Sequence, residues 1–399
     1  MLIFLSYIYW IIWVIRKWLY EKGILKTRRL LSPVICVGNI TTGGTGKTPT
    51  VIAIAKLLQK STELSLKDTE TALQQDASIA RIKTMTVPAF SKTKTSYVST
   101  PRISILTRGY KRMSQSPVTV VSDGSSLLSS PVDAGDEPYL IASALNGIPV
   151  IAGADRYKSG IYAHSNFNTE LFILDDGYQH LRLHRDINIL LIDATNPFGN
   201  GYLLPKGILR EPLKAISRAD CIIISKVSGG DIRAVEKQLR YYNNNSPIFY
   251  CDYKVTNIKD FDGNMPGLHS ISGKNLLIFS GIGNPHYFRK VVENNKGKVI
   301  KELIYPDHHW YKDKDLKDIL DEAYKLSVDA ILTTEKDAIR IKGAGLLSSN
   351  NMKMDMLILQ VEMEIDKKFK KWIFRKIIPP SRCNALQQRE PSPFRKRGR

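Results

Sequence analysis

Residues 34–50 read VICVGNITTGGTGKTPT. A β-branched run leads into a glycine-rich loop, and the loop ends on Lys-Thr at a helix start. In such a turn backbone N–H groups wrap phosphate oxygens, and the helix N-terminus adds partial positive charge. Thr42, Gly43, Gly44, Thr45 and Gly46 make the wrap. Lys47 is placed to reach the β- and γ-phosphates, and the Thr48 hydroxyl to hold Mg²⁺. Pro49 is tolerated in the first helical turn, where its N–H would be unpaired anyway. One position departs from the strict G-x-x-x-x-G-K-T pattern: Thr41 stands where it asks for glycine.

Further along, LFILDDGYQH (171–180) ends an apolar strand on two acids. Asp175 or Asp176 there resembles a Walker-B acid, holding Mg²⁺ directly or through water. An Asp-Gly turn is the plainer reading. GDEPYLIASAL (135–145) sets Asp136 and Glu137 ahead of a helix, where they suit both capping and catalysis. YPDHHWYKDKDL (305–316) carries Asp307, His308 and His309 after a strand. The two histidines fit a loop cap, a metal pair or a proton-handling group, and no matching third and fourth zinc ligands stand nearby. LTRGYKR (106–112), ADRY (154–157) and KGILREPL (206–213) each put Arg or Lys past a strand or in a loop. Gathered at one sheet edge they would supply cations for a triphosphate or a phosphorylated substrate. FSGIGNP (279–285) is a second glycine turn. In LTTEKDAIR (332–340), Thr334 precedes Asp337 by three residues, close to a capping box, which predicts a structural role.

These groups need a frame that brings strand ends together. Short, continuous apolar runs predict strands at Val34–Gly38, Ile103–Thr107, Val118–Ser122, Pro149–Ala152, Leu171–Leu174, Ile187–Ile192, Cys221–Ser225 and Ile248–Tyr250. This is the pattern of a parallel sheet buried on both faces. Helical stretches such as Pro49–Lys60 and Glu137–Asn146 fall between them. The reading is α/β, with a doubly wound P-loop sheet over 31–250. Residues 251–272 break the rhythm and read as an interdomain connection. A smaller α/β domain follows over 273–378, with strands at Asn275–Phe279, Lys298–Ile304, Ala330–Thr333 and Met356–Val361. The two α/β/α units would leave a cleft between them. Residues 61–100, rich in Ser, Thr, Lys and Gln, read as an insertion, and 379–399 as a basic, disordered tail.

The 399-residue chain carries a net charge of +20, which on its own suggests a polyanionic partner. Its distribution says otherwise. Residues 1–31 are net +5 and residues 367–399 net +11, leaving the body nearly balanced. Residues 2–15 (LIFLSYIYWIIWVI) are apolar, and Arg16 and Lys17 follow them. Fourteen helical residues span roughly 21 Å, short of the roughly 30 Å hydrocarbon core. Positive charge after the run, with no small-residue cleavage site, argues against a secretory signal. The segment (1–30) therefore reads as a helix lying in or dipping into an anionic membrane surface, with a true span and a buried core helix as the alternatives. Four cysteines without a CxxC pair fit a reducing compartment.

In this order the pieces resemble the tetraacyldisaccharide 4′-kinase family, the lipid A 4′-kinases. The resemblance rests on the apolar N-terminal helix, GNITTGGTGKTP, LTRGY, GDEP, ADRY, LDDGYQH, the Ile-Asp at 192–193, KGILREP, SGIGNP, YPDHH and LTTEKDA. It covers roughly residues 1–376, and Thr41 is usual in that family. It implies two α/β/α domains joined by a β-ribbon, with the site in the cleft. It implies transfer of the ATP γ-phosphoryl group to the 4′-hydroxyl of a tetraacylated glucosamine disaccharide 1-phosphate, giving lipid IVA, at the cytoplasmic face of the inner membrane. Carried over by motif, Lys47 and Thr48 would bind triphosphate and Mg²⁺. Asp136 would accept or orient the hydroxyl proton, assisted by His308. Asp175, Asp176 and Gln179 would serve the metal and phosphate region, and Tyr110, Glu137, Arg156, Arg210 and Glu211 would complete the shell.

The rival is a membrane-attached P-loop ATPase or GTPase switch. No NKxD guanine motif occurs, and a switch would not need the Asp136–His308 pair. A nucleic-acid partner finds no RRM, KH or zinc-finger pattern to support it.

Overall fold

Every residue of β1 (Val34–Gly38), β2 (Ile103–Thr107), β5 (Leu171–Asp175) and β7 (Cys221–Ser225) is buried, as in strands covered on both faces. The computed structural model describes residues 1–60, 101–346 and 354–377; the segments 61–100 and 379–399, read above as insertion and tail, lie outside these. The remaining strands of the described residues are β3 (Thr119–Ser122), β4 (Val150–Ala152), β6 (Ile187–Asp193), β8 (Ile248–Asp260), β9 (Asn275–Ser280), β10 (Lys298–Ile304), β11 (Ala330–Thr334) and β12 (Met356–Ile365). They form one sheet in the order β10-β9-β11-β12-β8-β7-β6-β1-β5-β2-β4-β3. Most of these strands begin and end within a residue or two of the sequence expectation.

The exception is the segment 251–272, read from its residues as an interdomain connection with no strand assigned, where the resemblance implies a β-ribbon. Residues 251–260 continue β8, which pairs antiparallel with β12 from Cys251↔Ile365 to Asp260↔Leu357. The reason is an alternation that the turn-forming residues around it obscure. Tyr253 opposes Met363 and Val255 opposes Val361, while Lys254 opposes Glu362. Such apolar and opposite-charge cross-strand pairs stabilise a ladder. The consequence is geometric. β5, β1, β6 and β7 run parallel to the start of β8, whereas β11 and β9 run parallel to β12. The two parallel sets therefore turn their C-terminal edges toward each other, and the cleft lies between those edges.

Helices cover the sheet: α1 (Leu2–Glu21), α2 (47–60), α3 (Pro131–Ala134), α4 (Asp136–Ala144), α5 (Arg156–Phe167), α6 (Ile232–Tyr242), α7 (Pro285–Asn294), α8 (Asp313–Lys325), α9 (Glu335–Gly343) and α10 (Lys367–Ile377). Each half has its own apolar clusters on the two sheet faces. Two helices cross this division. α9 packs on α3 and α4 of the first half. α10, counted with the second half in the sequence, returns to the first, where Phe369 meets Phe249 edge-on at 5.4 Å.

α1 extends past the 14-residue apolar run to Glu21 and is long and apolar enough to cross a membrane, by length and composition. One stripe of it is docked. The Ser6 hydroxyl donates to the Leu203 carbonyl (2.9 Å), the Tyr9 hydroxyl to the Arg210 carbonyl (2.8 Å), and Trp13 packs on the cluster around Phe198. Phe4, Ile8, Ile11, Ile12 and Ile15 remain exposed. A chain lacking residues 2–15 should bind anionic vesicles about tenfold or more weakly, since each buried CH₂ is worth about 0.8 kcal/mol. Equal co-sedimentation of the shortened and full chains would place the anchor elsewhere.

Candidate active site in the cleft

The phosphate loop runs from Gly38 into α2, which starts at Lys47, two residues earlier than expected. Gly43 and Gly46 hold positive φ (100° and 90°), a conformation that costs glycine little. Thr41 does not need that freedom. It makes an antiparallel bridge with Leu209, and the Thr42 N–H donates to the Ile208 carbonyl (2.7 Å). The Asn39 amide donates to the Thr45 hydroxyl (2.9 Å), and the Ser225 hydroxyl to the Thr45 carbonyl (2.8 Å). Lys226, almost fully buried, donates to the Gly44 carbonyl (2.6 Å) and pairs with Asp193 (2.5 Å). Nothing in the residues around it singles out Lys226, because a lone lysine after a strand is ordinarily solvated.

The second glycine turn has a role that only the neighbour reveals. A Cβ on Gly283 would stand 2.3 Å from the Gly44 nitrogen, so the second half touches the phosphate loop backbone to backbone.

At the end of β5 the two acids differ. Asp176 pairs with Arg210 (2.9 Å) and faces the Lys47 ammonium at 3.8 Å. Burial would raise its pKa, but Lys47 and Arg210 outweigh burial and hold it at about 2. Asp175 accepts from the Thr107 hydroxyl (3.2 Å) through Oδ2, while Oδ1 is buried with no partner. Burial, with Glu137 and Asp176 close by, pushes Asp175 up to about 7. A buried carboxylate short of countercharge, in the same cleft as the Thr48 hydroxyl, fits a hard divalent cation that takes its other ligands from phosphate and water. Among the described residues no cluster of three His, Cys, Asp or Glu forms a cage of its own. Glu137 lies beside this pair, tied to Lys336 at 2.6 Å.

Asp136 does not cap its helix. Gly135 is the N-cap, and Asp136 is the first helical residue. Its carboxylate faces the second half. His308 Nδ1 stands 2.9 Å from Oδ2, and the Arg340 Nε (2.7 Å) and Nη2 (2.5 Å) both donate to the same oxygen. Oδ1 accepts the Glu137 N–H (2.9 Å). Burial would raise this pKa too; the His308 hydrogen bond and the Arg340 charge outweigh it and hold the carboxyl well below the usual carboxylate range. His308 takes a left-handed backbone (φ 60°) to reach this position. His309 turns the other way, with Nε2 3.0 Å from Asp315 at the start of α8. The pair of histidines thus divides into one site residue and one loop residue.

Thr334 caps α9 as its sequence predicts, accepting the Asp337 N–H. That structural role hid a second one. Lys336 and Arg340, one turn apart on α9, are the partners of Glu137 and Asp136. The signal was available: two cations at i, i+4 matching two adjacent acids.

The rest of the expected shell is mixed. Tyr110 stacks edge-on against His308 (5.3 Å), and Arg156 is buried with Nε unpaired, its pKa lowered to about 10 by burial and by Arg108. Gln179 lines the cleft but spends its amide on the Asn39 carbonyl (2.7 Å) and on Glu211 (2.9 Å). Glu211 is buried behind Gln179, held between it and Arg218 (2.7 Å), so its carboxylate faces protein partners. Tyr9 and Arg16 of α1 also line the cavity of about 1380 Å³.

Gly283→Ala should raise the KM for nucleotide or lower turnover by about tenfold or more, because a Cβ has no room against a backbone nitrogen. A variant with normal kinetics would show that the two loops separate in the working state. Arg340→Met should cost about 3–5 kcal/mol in urea unfolding, since it leaves a buried carboxylate uncompensated. The sign with pH follows from the depressed pKa. The pair's stabilisation is full above the unfolded value of about 3.9 and is lost as pH falls through the folded one. Wild type should therefore lose stability below that value more steeply than the variant, and parallel acid limbs would contradict this.

A sequence profile described as Tetraacyldisaccharide-1-P 4′-kinase matches residues 1–64 and 83–378, so the stretch outside it, 65–82, is narrower than the expected insertion. The tetraacyldisaccharide 4′-kinase of Syntrophus aciditrophicus is 36% identical over 88% of this chain and 85% of its own length. That of Aquifex aeolicus is 34% identical over 93% and 96%. A crystal structure of LpxK from Aquifex aeolicus in complex with ATP superposes with a TM-score of 0.64 at 32% identity, covering 94% of this chain and 98% of that one. With the phosphate loop, the paired acids and the cleft between facing strand edges, the chain belongs to the tetraacyldisaccharide-1-P 4′-kinase family.

Proposed function

We propose that the protein transfers the γ-phosphoryl group of ATP to the 4′-hydroxyl of tetraacyldisaccharide 1-phosphate, giving lipid IVA, at the cytoplasmic face of the inner membrane. The observation that carries this reading is the Asp136–His308 pair, built from both halves in the cleft that holds the phosphate loop. A sugar hydroxyl is a weak nucleophile, so positioning and charge stabilisation must supply most of the rate. Arg340 and His308 both hold Asp136 through Oδ2. Oδ1, which accepts the Glu137 N–H (2.9 Å) and stands 3.2 Å from His308 Nδ1, is the less engaged oxygen and would accept the hydroxyl's hydrogen bond and point its oxygen at the γ-phosphorus.

A carboxylate with a depressed pKa is a weak base, and this suits a loose transition state. The proton leaves late, once the new P–O bond has made the hydroxyl acidic, and passes to the Asp136–His308 pair as the bond to the β-phosphate oxygen breaks and ADP departs. Lys47 follows the transferring group, and Arg210 and Arg156 add positive charge beside it. Thr48 and Asp175, with Asp176 beside them, would hold Mg²⁺, which neutralises charge on the β- and γ-phosphates when bound. The exposed apolar face of α1 suits an acceptor that arrives from the bilayer on acyl chains.

The test is transfer of labelled phosphate from ATP to tetraacyldisaccharide 1-phosphate in mixed micelles. ATP hydrolysis without labelled lipid, from folded protein, would overturn the kinase reading in favour of an ATPase switch. Asp136→Ala should lower turnover by about 100-fold or more while ATP still binds. His308→Ala should follow it and His309→Ala should not. A larger loss in His309→Ala would reassign the histidine.

A further inference from the structure

Lys47 is joined in the cleft by a lysine from the other half. Lys336, the second residue of α9, lines the same cavity as Lys47 and His308. Its ammonium stands 2.6 Å from Glu137 Oε1, and the side chain is partly open to the cavity. The phosphoryl transfer proposed above does not use it.

The position is unusual for a structural lysine. The first turn of a helix carries partial positive charge, so a cation there is disfavoured. Thr334 caps α9, and Glu335 suits the dipole, but Lys336 gains nothing from the helix it stands on. The helix itself is firmly held. One turn further on, the fully buried Arg340 donates to Asp136, to Asp337 and to the Gly281 carbonyl. Lys336 is therefore presented from a fixed base.

Around it stand the groups that the transfer needs. The charge of Lys336 is felt by Asp136, Glu137 and Asp175, and that of Lys47 by Glu137 and Asp175. The two lysines thus share these acids, one lysine from each half. An ammonium has three N–H groups. Glu137 takes one, and among the described residues no second hydrogen-bond partner takes another. In the proposed transfer the phosphoryl group passes from the side of Lys47 to the hydroxyl held by Asp136. Its charge is then spread over three equatorial oxygens.

We propose that Lys336 is a catalytic residue, an ammonium from the second half that donates to an equatorial oxygen of the transferring phosphoryl group while Glu137 holds it in aim. This rests on the kinase reading above. No proton leaves Lys336 and no bond to it forms; it supplies positive charge where negative charge accumulates. Because α9 belongs to the second half, the cation is in place only when the halves are together. A contact made chiefly in the transition state lowers the barrier without tightening the binding of ATP.

The experiment compares Lys336→Met, Glu137→Gln and the double variant in the labelled-phosphate assay. Lys336→Met should lower kcat by about 100-fold or more and leave the KM for ATP nearly unchanged. In the Glu137→Gln background the same change should still cost about tenfold or more, because the lysine's own contact is lost there too. A double variant no slower than Glu137→Gln alone would show that Lys336 acts only by holding Glu137, and would overturn the proposal. The double variant leaves neither charge of the pair unpaired, so the comparison stands even where Lys336→Met alone fails to fold. A second readout needs no acceptor: binding of ADP with aluminium fluoride, a mimic of the transferring group. Wild type should bind the mimic more tightly than ADP alone. Relative to Glu137→Gln, the double variant should lose about tenfold or more of that advantage while keeping its affinity for ADP. Equal losses for ADP and for the mimic would give Lys336 a merely structural part, and the proposal falls. Wild type that transfers phosphate to no lipid would remove the kinase reading, and this proposal with it. Transfer by wild type, with near-normal rates in both Lys336 variants, would sink this proposal alone.

Discussion

The site depends on the antiparallel pairing of β8 with β12. A parallel strand set gathers its loops at its C-terminal edge, which is why ligands bind there. A second parallel set continuing in the same direction would put its own C-terminal edge alongside the first, not opposite it. One antiparallel junction reverses the second set, so that the two edges face each other. The Gly283 turn then meets the phosphate loop at Gly44, and His308 and Arg340 reach Asp136. No single motif contains this arrangement. It comes from a ladder in which Val255 meets Val361 and Tyr253 meets Met363.

The charges in the cleft divide along the same line. Asp136 and Glu137 belong to the first half, and their cations Arg340 and Lys336 to the second. Buried ions of this kind are costly unless paired. Separation of the halves would leave Asp136 without both of its partners, so on the proposed mechanism its proton-accepting role would be complete only when the halves are together. In the proposed reaction that arrangement would limit hydrolysis of ATP before an acceptor is in place. Asp175 is the exception, with one oxygen unpartnered and its pKa pushed up. A site that was to hold Mg²⁺ with a triphosphate, as proposed, would have reason to leave one acid uncompensated by protein.

What could be read from the sequence was what lies contiguous in it. The phosphate loop, the acids ending β5 and the short buried strands each announce themselves within about ten residues, the window over which periodicity and turn chemistry act. β8 escaped because Asp, Asn and Gly around it signal turns more loudly than its alternation signals a strand. Lys336 and Arg340 escaped because capping by Thr334 already accounted for their segment. Gly283 escaped for a different reason: its need for glycine lies in the backbone of Gly44, which is more than 200 residues away. The motif that carries Glu211 by resemblance does not show that the fold sets it behind Gln179.

The charge distribution takes on a different meaning once α1 is seen to be docked. Net charge alone pointed to a polyanion, and its concentration at the two ends pointed to a membrane surface. Yet the helix is not a free tether. Ser6, Tyr9, Trp13 and Arg16 recur at a spacing of three or four residues and make one stripe turned toward the body, with the apolar face on the outside. A segment serving only as an anchor would need no such stripe, since lipid affinity depends on buried apolar area and net charge. The hydroxyls of Ser6 and Tyr9 bond to carbonyls in the 203–210 loop, the loop that also carries Arg210 to Asp176. If the apolar face meets a membrane as proposed, that contact on one side of the helix would be joined to the geometry of the phosphate site on the other.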